Sequence, residues 1–211
     1  MTREEGGAIA GPPQAPQRLF VLLMGSQLAL LLLAAAGFYL TSLPLPEAGT
    51  SVLRELAVGL VGGGLSYLAA MALTRSDTAV GATLRHHCRQ LSRVFCGFSW
   101  PQIVCLALAA GICEELLFRG FLQGWLASLG GPVTGIALAS LVFALLHAVS
   151  PIYFAVTLVM GLALGLTYWL SGDLLGVMLW HSVYDLVAMG LLAKYPHWLG
   201  VPMGPGPVDT N

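Results

Sequence analysis

Between Trp100 and Ala193 the chain carries five charged residues, Glu114, Glu115, Arg119, Asp173 and Asp185, in a stretch that is otherwise almost continuously apolar. This limits the possible folds more than any other feature. A charge at bilayer depth costs at least ~2.5–3.5 kcal/mol on insertion scales, so such residues are rare and tend to be functional. Two histidines, His147 and His181, fall in later apolar segments of the same region. Across the 211 residues only 9% are charged and 57% are hydrophobic. Soluble domains carry about 25% charged residues, which excludes a soluble globular domain. A net charge of −1, with no basic face of domain size, excludes a nucleic-acid partner.

About 20 apolar residues cross the hydrocarbon core, and six such segments can be drawn: Leu19–Leu40, Val52–Leu73, Pro101–Leu126, Val133–Val149, Ile152–Leu170 and Leu174–Ala193. The breaks between them fall at Pro44 and Pro46, Gly130-Gly131-Pro132, Ser150-Pro151 and Ser171-Gly172-Asp173, residues that punctuate helices strongly. The expected fold is therefore an all-α polytopic integral membrane protein with about six transmembrane helices. The bundle, residues 19–193, forms a single unit with its chemistry-bearing core at about 100–193. Residues 1–18, rich in Pro and Gly, are expected to be a disordered tail, and 194–211 a C-terminal tail. Leu19–Leu40 is too long for the ~7–15-residue core of a cleavable signal peptide. It is expected to be retained, although Ala34, Ala35 and Ala36 resemble a cleavage site. Gly59 with Gly63, Gly120 with Gly124 and Gly161 with Gly165 are four apart, the spacing that lets membrane helices approach closely.

One segment breaks the pattern. Leu84, Cys88, Leu91, Phe95 and Phe98 recur at steps of four and three, while Arg85, His86, Arg89, Gln90 and Arg93 take other faces. A basic amphipathic helix at the membrane interface, about Thr83–Phe98, is expected. Arg75, Arg85, Arg89 and Arg93 lie in one loop and the Thr41–Ser51 loop has no basic residue, which places the basic loop and both termini in the cytoplasm. Four cysteines, Cys88, Cys96, Cys105 and Cys113, make no CxxC pair and are expected to be free thiols.

The polar residues fall into three groups. Glu115 and Arg119 are four apart and share a helical face, whereas Glu114 is turned about 100° from Glu115. One carboxylate can be clamped by the arginine while the other points elsewhere. A desolvated carboxylate of that kind can act as a general base. Phe143 and His147 are four apart, as are His181 and Asp185, and a carboxylate beside an imidazole sets its tautomer or favours its charged form. Each group alone has a structural explanation: a plain ion pair with Glu114 facing water, a packing histidine, a His–Asp bond. Three groups on three helices of one small chain favour a site.

Glu114-Glu115-x-x-x-Arg119, Phe143-x-x-x-His147 and His181-x-x-x-Asp185 resemble, in order and membrane context, the three motifs of the CPBP family of intramembrane endopeptidases. That family includes the CAAX prenyl endopeptidase and the bacterial Abi proteins. The resemblance covers about Trp100 to Ala193. It implies a glutamate-type peptidase with no cofactor and no obligatory metal, acting on a membrane-anchored protein or peptide, with the bilayer as its other partner. Glu114 and His147 would activate water, and His181 with Asp185 would stabilise the oxyanion. Glu115, Arg119 and Phe143 would support them. The third motif commonly ends in Asn. An ionised Asp185 cannot donate to an oxyanion, so it is expected either to be protonated or to keep His181 charged. A bacterial inner-membrane location and a myxosortase-like role in C-terminal processing suit the small size.

Three other readings stay open. Glu and His are acceptable zinc ligands, although no HExxH helix is present. Buried Glu, Asp and His also mark transporter pathways. A non-catalytic immunity or binding protein could keep the same bundle. By rise along the helices Glu114 and His181 should lie at similar depth, about 18–20 Å from one face. His147, close to Ser150-Pro151, should be shallower.

Overall fold

The computed structural model describes residues 14–46, 49 and 51–201, and every regular element among them is helical. The helices are α1 (Gln14–Thr41), α2 (Val52–Arg75), α3 (Ala79–Phe95), α4 (Trp100–Glu115), α5 (Gly124–Gly130), α6 (Pro132–Leu146), α7 (Pro151–Ser171) and α8 (Leu174–Lys194). A π-helical segment, Leu116–Gln123, joins α4 to α5, and a 3₁₀ turn, Pro196–Leu199, follows α8. The chain is an integral membrane protein: α2, α7, α8 and Pro16–Thr41 of α1 are each long and apolar enough to cross a bilayer.

The other two expected spans differ in form. Pro101–Leu126 lies within the continuous helical run Trp100–Gly130, which changes from α to π directly after Glu115. Val133–Val149 shrinks to the 15-residue α6. At ~1.5 Å per residue α6 is ~22 Å long, short of the ~30 Å hydrocarbon core. The backbone beyond Leu146 is satisfied locally. His147 N–H donates to Ala144 O, Ala148 N–H to Leu145 O, and Ser150 Oγ caps α7 by accepting from Tyr153 N–H.

Helix boundaries follow the punctuation. Gly131 (φ +85°) and Gly172 (φ +69°) hold left-handed conformations that let α5 and α7 end sharply. Asp173 caps α8 by accepting from the Leu175 and Gly176 amides. Ser99 and Gln102 form a capping box at the start of α4.

α8 packs against both α2 and α4, and α6 against α7. Gly59 and Gly63 bring α2 close to α8 at Leu179, Trp180 and Val183, and Gly161 and Gly165 bring α7 close to α6 at Ser140. A Cβ at any of these glycines would meet the neighbouring helix, so the small-residue pairs serve close packing.

Three boundaries move. α1 begins at Gln14, inside the expected 1–18 tail, whose first 13 residues lie outside the described residues. The expected 194–211 tail is ordered through Val201: Leu199 and Val201 are buried beside Tyr67 and Leu192. Residues 202–211 lie outside the described residues. The amphipathic helix runs Ala79–Phe95, so Phe98 falls beyond its end, where it is fully buried against α4. Leu84, Cys88, Leu91 and Phe95 do face the bundle, and Arg89 and Arg93 are exposed. Arg85 instead closes the α2–α3 corner, donating to Thr74 O and Ser76 O.

Candidate active site

Glu114 and Glu115, one step apart at the end of α4, point to different helices. Glu115 is fully buried, and its Oε1 accepts from Arg119 Nη1 at 2.7 Å and from His181 Nδ1 at 2.8 Å. Glu114 turns toward α1 and α6. Its Oε1 accepts from Gln27 Nε2 at 3.0 Å, and its Oε2 lies 3.7 Å from His147 Nε2. The asymmetry expected from the ~100° rotation is present.

Arg119, also fully buried, sits in the π segment. It donates Nη2 to Gly161 O at 3.1 Å and places its guanidinium carbon 4.6 Å from the centre of the Phe143 ring. Four residues on, Gln123 Nε2 donates to Gly165 O at 3.0 Å. The polar side chains of the π segment thus bond to carbonyls of α7 at the two glycines where no side chain intervenes. π segments inside α-helices recur at functional sites; here one carries Arg119.

Phe143 is buried beside both histidines. Its ring centre lies 4.5 Å from that of His147, 6.0 Å from His181 and 5.2 Å from Phe118. His147 Nδ1 is 2.8 Å from Phe143 O. A carbonyl only accepts, so Nδ1 carries the hydrogen and Nε2 faces Glu114. His181 Nδ1 likewise donates to Glu115, which leaves its Nε2 facing Asp185 Oδ2 at 3.6 Å. That separation is too long for a hydrogen bond. The His181–Asp185 pair read from the sequence is therefore secondary to a Glu115–His181 bond across helices.

Glu114, Phe143, His147, His181 and Asp185 line one cavity of about 300 Å³. Its remaining wall is mostly apolar and includes Tyr67, Met71 and Tyr184, with Leu84, Cys88 and Leu91 of α3 along one side. Burial pushes the Cys88 thiol above its ordinary range, which disfavours the reactive thiolate. All the site residues named from the sequence are thus adjacent. His147, just beyond the end of α6, brings its Nε2 within 3.7 Å of Glu114 Oε2.

Gln27 was missed. It is an amide alone within an apolar span, 87 residues from Glu114, and polar side chains in such spans commonly bond across helices. That was the available signal.

These features define a helical membrane protein with paired carboxylates and imidazoles around a largely apolar cavity. Residues 97–187 match the family model described as type II CAAX prenyl endopeptidase Rce1-like. No curated protein and no solved structure gives a significant match. The matched segment contains the motif residues of α4, the π segment, α6 and α8, and excludes α1 to α3.

Proposed function

We propose that the chain is a glutamate-type intramembrane endopeptidase that hydrolyses a peptide bond near the C-terminus of a membrane-associated protein or peptide. The observation carrying this reading is the 3.7 Å approach of Glu114 Oε2 to His147 Nε2 at the wall of a largely apolar cavity. A water ~2.8 Å from both atoms could donate one hydrogen to each. Glu114, acting as base, takes a proton as the water oxygen attacks the scissile carbonyl, and His147 orients that water. His181 Nε2 faces the developing oxyanion, and Asp185 nearby favours a proton on that nitrogen. When the C–N bond breaks, the proton held by Glu114 passes to the leaving amine. Arg119 and Glu115 hold His181 in place. The apolar lining suits a lipid-like or hydrophobic segment beside the cleaved bond. In this reading the basic α3 and both termini face the cytoplasm, the side favoured by the arginine bias.

The test uses the full chain in lipid bilayers with membrane-anchored peptides, with and without a C-terminal isoprenoid, in ¹⁸O-labelled water. The expected product has a new C-terminal carboxylate carrying one labelled oxygen, formed in the presence of chelator. Absence of any cleavage would overturn the peptidase reading. Loss with chelator and recovery with zinc would replace it with a zinc protease.

Asp185 supplies a separate check. Asp185→Asn is expected to lower kcat more than tenfold, measured in the same assay, because it removes the charge that holds a proton on His181 Nε2. An undiminished rate would leave that task to Glu115 alone.

A further inference from the structure

We propose that Gln27 of α1 is a positioning residue for the water-activating carboxylate, an inference that rests on the peptidase reading above. Gln27 lies outside the segment that matches the family model, yet it makes the hydrogen bond that Glu114 Oε1 accepts, at 3.0 Å. The carboxylate has two oxygens with different surroundings. Oε1 is held by the Gln27 amide, whereas Oε2 has no hydrogen-bond partner among the described residues and faces His147 Nε2. Without Gln27, both oxygens could compete for the histidine or the water, and the side chain could rotate. With it, one oxygen is tied and the other is presented.

The donor is also well placed to act only through Glu114. Gln27 is about 9% exposed, and its own Oε1 has no hydrogen-bond partner among the described residues. It is flanked along α1 by apolar contacts that do not need it. Phe20, Leu23 and Met24 pack on one cluster with α4 and α8, and Leu30 and Ala34 pack on another with the π segment and Phe143. α1 should therefore stay docked when the amide is removed. The active site is completed by a helix from outside the motif-bearing core.

The experiment compares wild type, Gln27→Met, Ser26→Ala and Glu114→Gln, each full length in bilayers. Met keeps the length and suits an apolar span, so insertion should be unaffected. Ser26 is exposed and, among the described residues, donates to its own helix at Leu23 O, so Ser26→Ala serves as a control. Gln27→Met is expected to lower kcat about tenfold to a hundredfold, the range carried by a hydrogen bond to a charged group. KM should stay within twofold and the melting temperature should not change. Wild-type kcat in Gln27→Met, a rise in KM with kcat intact, or a fall in melting temperature that accounts for the lost activity would each overturn the positioning role. If Glu114→Gln is inactive while Gln27→Met cleaves like wild type, Gln27 fails and the peptidase reading stands. If wild type cleaves nothing, both fall together.

Discussion

Glu114→Gln is expected to lower kcat by about three to four orders of magnitude while leaving folding and membrane insertion intact. The substitution is nearly isosteric. Gln keeps a carbonyl oxygen able to accept from Gln27 Nε2, so the bond that anchors the carboxylate is replaceable. It cannot take a proton from water. General-base catalysis typically contributes 10²–10⁴-fold, and the adjacent Glu115 cannot substitute, because it is occupied by Arg119 and His181. KM should change little, since the cavity wall that would hold the substrate is mostly apolar and untouched. Initial rates of peptide cleavage with matched protein levels give the measurement. Cleavage by the variant within tenfold of wild type would remove Glu114 from the chemistry. A non-catalytic immunity or binding protein predicts a variant that keeps its biological effect, so the same protein tested in cells separates the two classes.

The variant also bears on which parts of this site a sequence can reveal. Glu115 and Arg119 are four apart, and their contact follows from helix geometry alone, even though the π segment begins between them. The opposite facing of Glu114 follows from the same rotation. The apolar face of α3 is a local pattern as well, and its boundary moved by only a few residues. Contacts between distant segments were less legible. His181 has an acidic neighbour at i+4, but its short bond goes to Glu115, 66 residues earlier. Nothing local distinguishes these two carboxylates as partners; the close packing of α4 on α8 decides it, aided at Gly111, where a Cβ would meet Ser182 and the backbone of Met178. The extent of the helix before His147 was misjudged for a related reason. Hydropathy extends α6 to Val149, whereas the chain turns after Leu146. Gln27 could be seen only as an isolated amide, its partner fixed by the docking of α1.

Replacing Arg119 with Met should produce the largest loss of stability of any single change in the site. The guanidinium is fully buried and bonds to Glu115, Gly161 O and the Phe143 face. Removing one partner of a buried ion pair typically costs ~3–5 kcal/mol, because the other charge is left uncompensated. Here that charge is Glu115, whose Oε2 already has no hydrogen-bond partner among the described residues. Arg119→Lys should recover only part of the loss, since a single ammonium lacks the fork that bonds Glu115 and a carbonyl at once. The decisive variant is the double change Arg119→Met with Glu115→Gln. If the cost comes from an orphaned carboxylate, neutralising it should restore most of the stability, read as the unfolding midpoint in detergent. Activity should stay low, because His181 loses the charged partner that holds its Nδ1 hydrogen. Stability that fails to return in the double variant would mean that Arg119 acts through its packing on Phe143 and α7 rather than through its charge.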